Sequence, residues 1–211
     1  MEKQKIITPE IKVISKFEYD APQKRIGILG GTFNPPHLGH LIMAEQVLDQ
    51  LCLDKVLFMP DNQPPHIDHK EAIDSQKRLQ MLKLSIADNK NFGIEDYEIR
   101  KGGISYSIET MKTLTAMHPE NQYYFIIGGD MVEYLPKWKD IDELVKLVQF
   151  VGVGRPGYRK ESKYPVMWVD TPEIQISSTM IRQKIKHGNS IKYLVKDEVA
   201  EYIEREKLYL E

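Results

Sequence analysis

The sequence predicts an α/β protein: a doubly wound, mostly parallel sheet followed by C-terminal helices. Short apolar runs alternate with stretches of helical periodicity, and the first run ends in a glycine turn that leads into a helix. At 211 residues the chain has the length of one domain with a real core.

Residues 1–23 mix charged and apolar groups up to Ala21-Pro22 and read as an N-terminal extension of unassigned role, ahead of a domain over 24–211. Arg25 to Leu29 is the first short buried strand. Gly30-Gly31-Thr32-Phe33-Asn34-Pro35-Pro36 then turns the chain into an amphipathic helix that runs to about Leu51, with Pro36 suited to its first turn. Lys55 to Met59 gives the second strand. The segment from Pro60 to Asp74, with Pro64-Pro65 inside it, is too long for a plain connector. Ser75 is expected to cap a helix that places Leu79, Leu82 and Ile86 on one face. Further strands are expected at Phe92 to Glu95, Tyr123 to Ile127, Val148 to Val153 and Val166 to Val169, with helices over Ser107 to Met117 and Ile141 to Leu147. A loop from Gly154 to Tyr164 precedes two last helices, near Ser178 to Lys186 and Lys196 to Glu204.

Lys and Arg total 29 against 31 Asp and Glu, a formal net charge of -2, so no broad basic face for nucleic acid is expected and phosphate binding must be local. The first residues lack the apolar stretch of a signal peptide, and no later run approaches membrane-spanning length. A cytoplasmic protein without a membrane partner is the expectation; the oligomeric state stays open, a homo-oligomer included. Cys52 is the only cysteine and, between Leu51 and Leu53, is expected to be a small buried hydrophobe.

In an open parallel sheet, ligands bind beyond the carboxyl ends of the strands, where the turn after Leu29 lies. Gly30 and Gly31 leave room for a phosphate to approach backbone N–H groups, and the next helix points its positive end at the same place. Glycines also serve tight turns for geometry alone. His37 and His40, three apart, emerge on one helical face beside them, with no pattern for a zinc site around them. The second constellation is Ile176-Ser177-Ser178-Thr179-Met180-Ile181-Arg182. Hydroxyls at a helix N-terminus and a guanidinium one turn later suit a polyphosphate, although Ser178 is accounted for by capping alone.

The string from Gly30 to His40 resembles the signature of the nucleotidyltransferase superfamily with paired HxGH histidines. The string from Ile176 to Arg182 resembles its second signature, ISSTxIR. Over about Lys24 to Leu210 the resemblance is to bacterial nicotinate-nucleotide adenylyltransferases, carried by three more strings: Ile104-Ser105-Tyr106-Ser107, Ile126-Ile127-Gly128-Gly129-Asp130 and Tyr134-Leu135-Pro136-Lys137-Trp138. It implies a Rossmann-like nucleotidyltransferase fold and transfer of AMP from ATP to nicotinate mononucleotide, with release of pyrophosphate, in NAD biosynthesis.

The resemblance further implies that His37, His40 and Arg182 stabilise charge at the ATP phosphates. Gly30, Gly31, Thr32, Phe33, Ser178 and Thr179 would bind ATP, and Arg155 would lie near adenine. Ser105, Tyr106 and Ser107 would receive the nicotinate carboxylate, Asp130 the ribose hydroxyls, and Tyr134 and Trp138 the nicotinate ring. Mg²⁺ would ride on the ATP phosphates, with no metal site on the protein. Two departures stand out. Relatives often carry Lys after Pro-Pro-His, whereas Ile67 follows His66 here and the nearest lysine is Lys70; Ser107 replaces a common Thr. The superfamily signatures alone also fit transferases acting on phosphopantetheine or cytidylyl substrates, and nicotinamide mononucleotide is a closer rival acceptor. A nucleotide sensor without catalysis and a class I aminoacyl-tRNA synthetase fragment are the remaining alternatives.

Overall fold

Each strand of the sheet sends alternate side chains to opposite faces, and here both faces are covered. The computed structural model describes residues 23–63, 72–154, 161–172 and 174–210, with Asp130 described by its backbone alone. Residues 1–22 of the expected extension, together with His66, Ile67, Lys70 and Arg155, lie outside the described residues.

Six strands, β1 (Lys24–Gly31), β2 (Lys55–Pro60), β3 (Phe92–Ile94), β4 (Asn121–Gly128), β5 (Val148–Val153) and β6 (Val166–Val169), form one sheet in the order β3-β2-β1-β4-β5-β6. Every pairing among them is parallel. The chain order reverses between β1 and β4, and such a reversal opens a crevice at the carboxyl ends of the two strands.

On one face, Leu29, Val56, Phe58, Tyr124, Ile126 and Val151 pack against helices α1 (Leu38–Gln50) and α2 (Ser75–Ile86) through Ala44, Val47 and Leu82. On the other, Ile28, Phe125, Ile127 and Phe150 meet Ile108, Met111 and Leu114 of α4 (Ser107–Met117) and Leu144 of α6 (Ile141–Leu147). A third apolar cluster joins α2 to α7 (Ser178–Lys186) and α8 (Asp197–Arg205), through Met81, Ile181, Val199, Ile203 and Leu208. This cluster docks the C-terminal helices beside the sheet. No helix among the described residues is long and apolar enough to cross a membrane.

Several local expectations are corrected. Helix α1 begins at Leu38 with His37 as its N-cap, so Pro36 precedes the helix instead of sitting in its first turn. Asp74, not Ser75, caps α2: its carboxylate accepts the N–H groups of Gln76 and Lys77 at 2.9 and 3.3 Å. Cys52 is exposed, because the chain turns there with a φ of 46° and it is Leu53 that goes into the core. Two short helices were not anticipated, α3 (Tyr97–Lys101) and α5 (Gly129–Tyr134), the latter continued by a 3-10 turn at Leu135–Lys137.

Candidate active site

The turn after β1 brings the two histidines together. His37 and His40 stack with ring centroids 3.6 Å apart, and the edge of Phe33 meets His40 at 5.0 Å. The His37 backbone N–H donates to His40 Nδ1 at 3.1 Å. A Cβ on Gly39 would come within 3.0 Å of His37 Nδ1, so glycine lets the first ring lie back over the helix start.

The second motif grips the backbone of that turn. Ser177, and not the expected Ser178, caps α7 by accepting the Met180 N–H at 3.2 Å. The Ser178 hydroxyl is thereby released to donate to the Pro35 carbonyl at 2.8 Å. Arg182 donates from Nη1 to the Asn34 carbonyl at 2.7 Å and from Nη2 to Thr179 Oγ1 at 3.2 Å.

Two cavities open at the carboxyl edge of the sheet. The first, 330 Å³, is walled by His37, Gly39 and His40, by Val153 and Gly154 at the end of β5, and by Ile174 to Ser177. The second, 440 Å³, is walled by Gly30, Gly31 and Thr32, by Ser105, Tyr106 and Ser107 at the start of α4, and by Tyr134, Trp138 and Lys139. Most of the expected site residues therefore divide between these two spaces. Phe33 is buried in the core, and Ser178, Thr179 and Arg182 lie behind the histidine turn and wall neither cavity. Asp130 is the second residue of α5, which follows β4 at the second cavity.

Trp138 meets Phe125 and Phe150 edge-on at 5.7 and 6.0 Å and still faces the second cavity; its buried indole N–H has no partner among the described residues. Tyr134 is half exposed at the rim, with the Lys137 ammonium 4.8 Å from its ring centre. Lys139 bridges Glu109 at 2.7 Å and the Tyr106 ring at 4.2 Å.

Three charged residues in or behind these walls were not anticipated: Asp61 and Glu98 line the second cavity, and Arg78 lies behind it. Arg78 of α2 is only 1% exposed. Its guanidinium donates to the carbonyls of Thr32 (2.7 Å), Asp61 (2.8 Å), Asn62 (3.3 Å) and Ile73 (3.2 Å), and approaches Asp61 Oδ1 at 3.4 Å. Asp61 also accepts the Thr32 hydroxyl at 2.8 Å. Burial raises the Asp61 pKa, with the Thr32 bond and the Arg78 charge pulling the other way. Glu98, 4% exposed, accepts the Thr110 hydroxyl at 2.8 Å; burial raises its pKa against hydrogen bonds from Thr110 and Ser105. The Ser105 hydroxyl also accepts the Asn62 N–H at 3.0 Å, so it is tied into the wall. A signal for Arg78 did exist: three and four residues before Met81 and Leu82, it falls on the apolar face of α2.

A family model described as cytidylyltransferase-like matches residues 28–184. A probable nicotinate-nucleotide adenylyltransferase of Lactiplantibacillus plantarum is 61% identical over 198 residues, covering 94% of each chain. One of Streptococcus pyogenes serotype M1 is 54% identical over 205 residues, covering 97% of this chain and 98% of its own. Among solved structures, the Plasmodium falciparum nicotinic acid mononucleotide adenylyltransferase complexed with NaAD superposes with a TM-score of 0.75 at 19% identity. That superposition covers 88% of this chain and 97% of the other, and it supports the fold.

Arg78→Met is expected to destabilise the protein by about 3–5 kcal/mol in urea denaturation at pH 7, because Asp61 and the surrounding carbonyls lose their buried donor. A loss below about 1 kcal/mol would show that water replaces it. Glu98 supplies a pH prediction. A carboxyl with a raised folded pKa contributes stability that is present at low pH and is lost as pH climbs from the ordinary value of 4.5 through the raised one. Glu98→Gln should flatten that slope, so wild-type stability falls relative to the variant across the window; parallel stability curves contradict the assignment.

Proposed function

The chain belongs to the nicotinate-nucleotide adenylyltransferases of the cytidylyltransferase-like family, and we propose that it transfers AMP from ATP to nicotinate mononucleotide. The products are nicotinate adenine dinucleotide and pyrophosphate, a step of NAD biosynthesis. The observation that carries this reading is the pair of cavities at the carboxyl edge of the sheet, one walled by the histidines and the other by the glycine turn, aromatics and a helix start. A donor nucleotide and an acceptor nucleotide can then occupy separate spaces along one edge of the sheet.

In this reading the triphosphate lies along His37 and His40. His40 Nδ1 accepts the His37 N–H, so the neutral ring carries its proton on Nε2 and can donate to a phosphate oxygen. An anionic phosphate oxygen of the acceptor attacks the α-phosphorus in line. The new P–O bond forms as the bond to the bridging oxygen breaks, and pyrophosphate leaves with the electron pair. The nucleophile is already ionised, so catalysis consists of positioning and charge stabilisation. Arg182, held against the carbonyl beside the histidine turn, adds positive charge from behind. ATP is taken as its magnesium complex, with the ion carried by phosphates and water.

The nicotinate ring is assigned to Trp138 and Tyr134, and its carboxylate to Ser107 and the N-terminal end of α4. Asp130 is assigned to the ribose hydroxyls and Arg155 to adenine, on the resemblance of their surrounding strings. The direct test incubates the purified protein with ATP, Mg²⁺ and either nicotinate or nicotinamide mononucleotide, and measures pyrophosphate. Faster turnover of the nicotinate form is expected; no release with either mononucleotide overturns the reading.

His40→Ala is expected to lower kcat by about 10²–10³-fold, the scale of losing one preorganised donor. Turnover near that of the wild type at saturating substrate rules out this role. Trp138→Ala is expected to raise KM for nicotinate mononucleotide while leaving KM for ATP nearly unchanged, because the ring lines only the second cavity. Equal changes in both constants would point to general loosening of the core instead.

A further inference from the structure

Asn34, at 5% exposure, is held twice. Arg182 takes its carbonyl at 2.7 Å, and its side-chain oxygen accepts the hydroxyl of Tyr209 at 2.8 Å. Tyr209 belongs to the tail beyond α8 and plays no part in the proposed chemistry. The tail is anchored: Leu208 is buried in the third apolar cluster, and its N–H bonds the Ile203 carbonyl at 3.0 Å. Burial pushes the Tyr209 phenol well above its usual pKa, against the opposing charges of Arg182 and Arg78, so it remains an O–H donor.

Backbone conformation singles out the same contact. Tyr209 has φ of 63°, and Phe33, immediately before Asn34, has φ of 49°. Aromatic residues rarely occupy this left-handed region, and the surrounding structure must hold them there. Pro35 and Pro36 follow Asn34, and their rings fix φ at two successive positions. A displacement of Asn34 is therefore passed on to His37 with little slack to absorb it.

We infer that Tyr209 is a positioning residue for the histidine pair: its hydroxyl fixes the Asn34 side chain while Arg182 fixes the carbonyl, and together they aim His37 and His40 into the first cavity. Its effect on turnover rests on the proposed adenylyl transfer, whereas its effect on the histidines does not.

Tyr209→Phe tests this, because it keeps the ring and removes only the hydroxyl. In proton–carbon NMR of the unliganded protein, the ring resonances of His37 and His40 should move, while that of His118, at the far end of α4, stays in place. In steady-state assays kcat should fall by about tenfold, the scale of one lost hydrogen bond, with KM for nicotinate mononucleotide within about twofold of the wild type. Asn34→Ala removes the acceptor instead, and adding Tyr209→Phe to it should cause no further loss. Unmoved His37 and His40 resonances, an unchanged kcat, or additive losses overturn the inference. If the wild type turns over no mononucleotide, the functional reading fails separately, and the resonances alone decide whether Tyr209 positions the pair.

Discussion

At the carboxyl edge of a parallel sheet the last carbonyls run out of strand partners, and in this protein the buried guanidinium of Arg78 bonds several of them at once. It ties Thr32 at the end of β1 to Asp61 and Asn62 beyond β2, and both to Ile73 ahead of its own helix. A guanidinium suits the position because its donors fan out in one plane and its charge persists under burial. Burial works to lower its pKa and the Asp61 carboxylate works to raise it. The end of β1, one side of the crevice, is therefore tied to the end of β2 through a polar junction that the apolar core could not supply.

A similar logic governs the histidines. Two motifs separated by most of the chain were expected to converge on the phosphates of ATP. The structure connects them more directly: Ser178 and Arg182 bond the carbonyls of Pro35 and Asn34, and the Leu38 N–H bonds the Leu194 carbonyl at 2.9 Å. The second motif thus holds the first before any ligand arrives. Preorganisation of this kind matters because donors that need not reorganise stabilise developing charge most effectively. It also explains why the C-terminal helices pack through their own apolar cluster, for a loosely docked α7 would let the histidine turn drift.

Much of the fold was legible because strands buried on both faces leave continuous apolar runs. The strands Val148–Val153 and Val166–Val169 and the helices Ser107–Met117, Ile141–Leu147 and Ser178–Lys186 have the expected bounds. Helices α3 and α5 were missed because five or six residues are too few for a periodic pattern to show. Caps slipped by one residue because Asp74 and Ser75, like Ser177 and Ser178, are adjacent candidates, and only the three-dimensional position of the neighbouring N–H groups decides between them. In the site, lining residues such as His37, His40, Ser107 and Trp138 could be named because their motifs are local in sequence, whereas Asp61 and Glu98, which also line the second cavity, belong to none of those motifs. Nor could Tyr209 be named, since its partner lies 175 residues away and nothing near it marks a contact.

A chain of net charge -2 that takes two anionic nucleotides faces an electrostatic problem, sharpest in the second cavity, where Asp61 and Glu98 stand in the wall. At an effective dielectric of about 20, two like unit charges about 4 Å apart repel by about 4 kcal/mol, comparable to the binding energy of a weak ligand. The structure lessens the problem in two ways. Burial makes both carboxyls harder to ionise, and each is covered by donors, Asp61 by Thr32 and Arg78, Glu98 by Thr110 and Ser105. Negative charge in the wall is thus either suppressed or turned toward partners behind the surface. Beside apolar side chains such as Met59 and Met131, the cavity is lined by glycine backbone, a helix start, aromatic rings and Lys139, which tolerate or favour an anion. Local arrangement, not net charge, is what lets an acidic protein bind phosphates.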